Sequence, residues 1–304
     1  MIERLRIFSQ IVNCRIIPLR GFLGVFLYLM NMYKFLFFFI TFSLSSQIKG
    51  VVKDSISGEP IPYVNIWVEN EAIGTTSEAN GSFEIQTTSG KNLIFSVLGY
   101  GRKYIPAKEN MTVLLKETTM NLKEVVLVNK KATKFVEIGK TPNTIKQAFD
   151  NGPKMNAKFF PYQSSYAKTK FIQKITVYTD SKIEDALVKI HLYEVDENGF
   201  PGNELLPKEL LVTIKRGVLK HSIDVSEHNL FMPENGVFAS FERLLIERNK
   251  LGTKYQPYVL YNFVERDFLF TFSGGKWNKM ENESADVKEK MRFNEPAIYL
   301  ILSN

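Results

Sequence analysis

The residues best spaced for chemistry are His191-Leu192-Tyr193-Glu194, because H-x-x-E can supply two zinc ligands, with a third to come from His221 or His228. The surrounding pattern argues against a metal centre. Val188, Ile190 and Leu192 alternate with Lys189, His191 and Tyr193, which is the period of a strand, and residues three apart on a strand point to opposite faces. His191 therefore reads as a structural histidine. Asp196-Glu197-Asn198-Gly199 begins like a calcium loop, yet Phe200-Pro201-Gly202 follows and the later carboxylate is missing, so a hairpin turn is expected. Glu242 with Glu247, or Glu184 with Asp185, would make a carboxylate pair for glycosidic cleavage, but nearness in sequence is weak evidence in a chain with 32 acids. There is no G-x-S-x-G elbow, phosphate loop or dinucleotide fingerprint, and Gly274-Gly275 reads as a turn. Cys14 is the single cysteine and precedes a hydrophobic segment, leaving no disulfide, thiolate nucleophile or cysteine metal site beyond it. The expectation is a non-enzymatic chain with no catalytic residue, metal or cofactor.

The elements that would position these residues are strands throughout. After Ile48, seven short apolar runs (IKGVV, VNIWV, GTTS, SFEIQ, LIFSV, KYIP and TVLL) fall within about 70 residues, which predicts an all-β sandwich. Val64, Ile66 and Val68 alternate with Asn65, Trp67 and Glu69, placing the first three in a core. Ser57-Gly58, with Pro60 and Pro62, marks one joint, Asn80-Gly81 a tight hairpin and Gly99 another turn. Residues 129–156 change character, with lysines, two prolines and weak periodicity, and read as a linker. Within it Thr141-Pro142 can start a short helix whose Ile145 and Phe149 share a face. Beyond it longer strands resume, from KFIQKITVYT and ALVKIHLYEV to the terminal AIYLIL. Eight or more of them with no long helix predict a jelly-roll-type sandwich over residues 157–304.

The run GVVKDSISGEPIPYVNIWVENEAIGTTSEANGSFEI followed by LIFSVLGY resembles the carboxypeptidase-D regulatory-like domain, a transthyretin-like seven-stranded sandwich, and LKEVVLV at residues 122–128 resembles its exit strand. The likeness covers residues 48–128. That family accompanies zinc carboxypeptidases or begins TonB-dependent outer-membrane receptors, so the resemblance implies a non-catalytic accessory module in an exported bacterial protein. The remaining residues, about 175, are too few for a large receptor barrel. IHLYEVDENGFPGNELL and IDVSEHNLFMPENGVFASFE resemble, more loosely, a β-sandwich that often follows this domain in envelope proteins and carries no assigned activity.

Residues 1–47 read as an address. Lys34, the apolar Phe35 to Phe42 and the small residues Ser43, Ser45 and Ser46 have the layout of a secretory signal peptide, with translation expected to start at Met30 or Met32 and residues 1–29 as an extension. An uncleaved spanning anchor is the alternative, and membrane contact is expected only through this segment. Both readings export the remainder to a Gram-negative periplasm or outer membrane. The net charge of +7 is largely N-terminal: Arg4, Arg6, Arg15, Arg20 and Lys34 face only Glu3, which leaves +3 for the rest. With no basic stripe or RNA-binding aromatic motif, nucleic-acid binding is not expected.

Aromatics make up 13% of the chain. Exposed on a sandwich, tyrosine and tryptophan anchor protein partners or stack on sugar rings. Trp277, beside a Gly-Gly turn, with Tyr258 and Tyr261, are the candidate ligand-binding residues. Envelope or outer-membrane proteins are the expected partners, with glycan as the alternative in a carbohydrate-binding accessory role.

Overall fold

The computed structural model describes residues 47–118, 132–140, 147–148, 152–264, 269–279 and 293–304. The signal-like segment and the stretch 122–128 lie outside them. Seven strands build the first sandwich: β1 (Gln47–Asp54), β2 (Asn65–Val68), β3 (Gly74–Thr76), β4 (Ser82–Gln86), β5 (Asn92–Ser96), β6 (Lys103–Pro106) and β7 (Met111–Leu115). They form two sheets, ordered β4-β1-β7 and β3-β2-β5-β6, with β1 and β7 parallel. Val64, Ile66 and Val68 meet Val52, Phe83, Leu93 and Phe95 between the sheets, as their alternation requires.

Asn80-Gly81 turns the chain, but it joins β3 to β4, which belong to different sheets, so it is not the turn of a paired hairpin. Gly81 sits at φ +74°, where a Cβ would lie 2.6 Å from the Val52 carbonyl oxygen, and that crowding demands glycine whichever strands are joined.

The second sandwich contains β8 (Phe135–Ile138), β9 (Gln147–Ala148), β10 (Met155–Phe160), β11 (Phe171–Ser181), β12 (Ala186–Val195), β13 (Pro201–Glu204), β14 (Leu210–Ile214) and β15 (Gly217–Asp224). It continues through β16 (Val237–Arg243), β17 (Lys250–Leu251), β18 (Lys254–Tyr255), β19 (Tyr258–Val264), β20 (Leu269–Ser273), β21 (Lys276–Lys279), β22 (Phe293–Pro296) and β23 (Ile298–Ser303). One sheet runs β13-β12-β16-β10-β20-β21 with β14 beside β12. The facing sheet runs β22-β19-β11-β23-β8 with β15 beside β11 and β9 beside β19. Ile175, Val177, Val188, Ile190, Leu192, Phe241 and Leu300 fill the space between. The fold is all-β, and among the described residues no helix is long and apolar enough to cross a membrane.

The expected linker over 129–156 is partly sheet. β8 pairs with β23, and the Asn304 side-chain carbonyl accepts hydrogen bonds from the Thr133 and Lys134 backbone N–H groups at 2.8 and 2.9 Å. β8 escapes sequence detection because Phe135, Val136 and Glu137 are all exposed and only Ile138 points inward, which leaves no alternation to read. Of the helix expected after Thr141-Pro142, Ile145 and Phe149 lie outside the described residues, while Gln147–Ala148 is a strand.

Gly236, leading into β16, has φ +93°, and a Cβ there would sit 2.6 Å from the Phe159 ring and 2.7 Å from the Phe160 carbonyl oxygen. Gly236→Ala should destabilise by about 2 kcal/mol through strain and overpacking. Urea midpoints of the two proteins test this, and coincident curves would refute it.

Candidate binding cleft

The outer face of β2 does not meet solvent. Trp67 is only 4% exposed because it packs, with Ile94 of β5, against Met155, Phe272 and Trp277 of the second sandwich. Its ring meets Phe272 edge-on at 5.6 Å. Around this apolar contact the first sandwich donates hydrogen bonds to backbone carbonyls of the second. The Asn70 N–H donates to Gly274 O at 3.0 Å and the Arg102 guanidinium to Gly275 O at 3.3 Å, so the expected Gly274-Gly275 turn is also a docking point.

Beside the apolar contact lies a buried ionic seam. Lys189 of β12 donates to the Tyr63 carbonyl at 2.6 Å and pairs with Glu209. His191, on the same face of β12, lies 2.8 Å from Glu204 through Nδ1 and 2.6 Å from Glu242 through Nε2. The Asn65 side-chain amide of β2 donates to the same Glu242 oxygen at 3.0 Å, which ties the seam to the first sandwich. Burial works against charge on His191, but the Glu204 charge and the bonds to both carboxylates outweigh it and push its pKa up to about 10. Burial likewise opposes the charge on Glu242, and Lys189 and His191 overcome it, holding this carboxyl below its usual range. Glu209 goes the other way, raised by burial despite Lys189. Both ring nitrogens of His191 are thus engaged as donors to carboxylates. Among the described residues no three His, Cys, Asp or Glu side chains are grouped to hold a metal ion.

Above the seam opens a cleft of about 870 Å³, within the usual size range of small-molecule sites. One wall is the loop after β5 with Arg102; the other is the β12–β13 hairpin and β21. Tyr193 stacks on His191, with ring centroids 5.5 Å apart and planes 12° apart, and meets the Trp277 indole edge-on at 5.6 Å. The hairpin is shaped by Asp196, whose carboxylate accepts hydrogen bonds from the Asn198 and Phe200 backbone N–H groups at 2.9 and 2.8 Å, the geometry of an Asx turn.

The three aromatic candidates separate. Trp277 is half-buried and lines the cleft. Tyr261 is 4% exposed in the core, where the Asn156 amide donates to its hydroxyl at 2.5 Å, and it borders the recess of Tyr258 rather than the cleft. Tyr258 lies under the Arg243 guanidinium, 5.0 Å from its ring, on a shallow recess apart from the cleft. Of the carboxylate pairs, Glu242 is in the seam while Glu247 accepts from Lys250 at the surface, and Glu184 caps the Arg216 N–H. Sequence reading missed Tyr193, Glu204, Glu209 and Lys189. The available signal was the polar face Lys189, His191, Tyr193 on a strand whose other face is core.

Residues 48–127 match the CarboxypepD_reg-like domain family. The TonB-dependent receptor SusC of Bacteroides thetaiotaomicron is 33% identical over 87 residues, 29% of this chain and 9% of the receptor. The TonB-dependent receptor P3 of Formosa agariphila is 29% identical over 105 residues, 34% of this chain and 10% of the receptor. The chain therefore spans about a tenth of the length of these curated relatives. Among solved structures, a candidate carbohydrate-binding protein from Bacteroides uniformis aligns over 86% of this chain and 99% of its own at 8% identity, with a TM-score of 0.20, too slight a likeness to bear on function.

Proposed function

We propose that this chain is an exported, non-catalytic binding and scaffold module of a Gram-negative envelope, periplasmic or outer-membrane associated, that works with envelope or outer-membrane proteins. The observation carrying this reading is the junction. Trp67, Phe272 and the Lys189–His191–Glu242 seam join a regulatory-like sandwich to a second one as a single body with a formed recognition cleft. A domain family that accompanies other functions, found also in TonB-dependent receptors, supports the compartment and the accessory role. Protein docking has an edge to use: among the described residues β6 ends its sheet and Tyr104 is 53% exposed, the arrangement that accepts an added strand. A second reading, a carbohydrate-binding accessory of a glycan uptake or degradation system, is favoured by Trp277 and Tyr193 in the cleft. Cell fractionation with a photo-crosslinking residue at position 104 tests the first reading. Recovery with the envelope and discrete envelope-protein adducts are expected; recovery in the cytosol, or no adduct, would overturn it.

A further inference from the structure

We infer that the cleft is a binding site for a neutral saccharide, with Trp277 as its stacking platform and the β12–β13 hairpin as its polar rim. The inference rests on the binding-module reading and follows from which groups in the cleft still have bonding capacity. Its two buried cations are paired, Lys189 with Glu209 and the Tyr63 carbonyl and His191 with two carboxylates, while Arg102 and Lys276 lie exposed at the rim, each on one neutral carbonyl oxygen at 3.3 Å. Its acids are engaged too, with Glu204 accepting from His191 and from the Leu192 N–H at 2.7 Å, and Asp196 from its own turn. An ionic ligand reaching the floor of the cleft would have to break the Lys189 or His191 pairs before making its own, at the cost of leaving a buried charge uncompensated.

What remains unfilled is neutral. The Asn198 side-chain amide, the Asn203 carbonyl oxygen and the Tyr193 and Ser96 hydroxyls line the cleft without a hydrogen-bond partner among the described residues, although the Asn203 amide N–H donates to Glu194 at 2.6 Å. Uncharged donors and acceptors beside a half-buried indole suit a ligand that presents both apolar C–H faces and a ring of hydroxyls. That combination is a sugar. A purely apolar ligand would leave the amides and hydroxyls unpaired, and among the described residues an anion on the floor of the cleft would find Lys189 and His191 already paired with carboxylates.

Calorimetric titration of the full-length protein with neutral oligosaccharides (α- and β-linked glucans, mannan and xylan fragments) and with oligouronates tests the assignment. At least one neutral series should bind saturably. Trp277→Ala should weaken it tenfold or more and Asn198→Ala, at an exposed position whose loss leaves the fold intact, several-fold, while Tyr258→Ala outside the cleft changes nothing. Preference for uronates, silence of the whole panel, or binding that survives Trp277→Ala and Asn198→Ala would each overturn it. Envelope cross-links from position 104 that persist alongside a silent panel would remove the saccharide alone and leave the scaffold reading standing.

Discussion

Lys158→Ala should lower the stability of the second sandwich by about 3–5 kcal/mol, the usual effect of removing one partner from a buried ion pair. For a protein of this size that corresponds to a fall of roughly 10 °C in Tm. Lys158 is 0% and Glu295 1% exposed, and their charged atoms are 2.7 Å apart. The same ammonium donates to the Gly139 carbonyl at 2.6 Å and lies 5.1 Å from the centres of both the Phe160 and Tyr299 rings. Truncation strips Glu295 of its countercharge inside the sandwich and opens a cavity where the long stem lay. Replacing both partners by apolar residues, Lys158→Met with Glu295→Leu, should recover much of the loss, because the desolvation cost of both ions disappears together. Denaturant melts of the two single variants and the double variant measure the coupling. A double variant whose loss equals the sum of the singles would show that the pair contributes nothing as a pair. The consequence reaches the cleft, since β10 also carries Met155 into the contact beneath Trp277.

Where alternation was regular and one face met a local core, sequence sufficed. All seven runs of the first sandwich are strands, and Val64, Ile66 and Val68 are buried as their spacing demands. What periodicity could not supply was the environment of the other face. Trp67 and the polar face Lys189, His191, Tyr193 look alike in sequence, outward on a strand, yet Trp67 and Lys189 meet the neighbouring sandwich while Tyr193 lines the cleft. A period of two states which residues share a face, and nothing about what lies across it. The same limit separates the aromatics. Trp277 was legible because a Gly-Gly turn holds it near a surface, whereas Tyr261 lies mid-strand, where only the packing of the opposite sheet decides that it is core. Glu204 and Glu242, 38 positions apart, become a site only through the pairing of β12 with β13 and with β16.

His191→Gln should lower stability near pH 6 by about 3 kcal/mol and flatten its decline above neutrality. The folded pKa of His191 is raised from 6.5 to about 10, so its contribution is complete below pH 6.5 and is lost as pH climbs toward 10. Glu242 behaves oppositely. Its folded pKa is lowered from 4.5, so its contribution is present above that pH and is lost on acidification through the folded value. The bonds His191 makes from β12 to β13 and β16 should therefore be firmest from about pH 5 to 6.5. Tyr193, pushed well above the usual phenol range by burial and by Glu204 and Glu242, stays protonated across the window and does not blur it. The substitution removes the imidazolium from both Glu204 and Glu242, leaving Lys189 as the seam cation that acts on Glu242. Unfolding midpoints measured from pH 5 to 9.5 should fall steeply in the parent above pH 7 and much less in the variant, with the two curves converging. Parallel curves would mean that His191 is not the group that titrates. With a ligand in the cleft above the seam, its affinity should follow the parent's curve downward over the same interval, because the bonds that fix the β12–β13 hairpin and the His191 ring on which Tyr193 stacks are the ones being released.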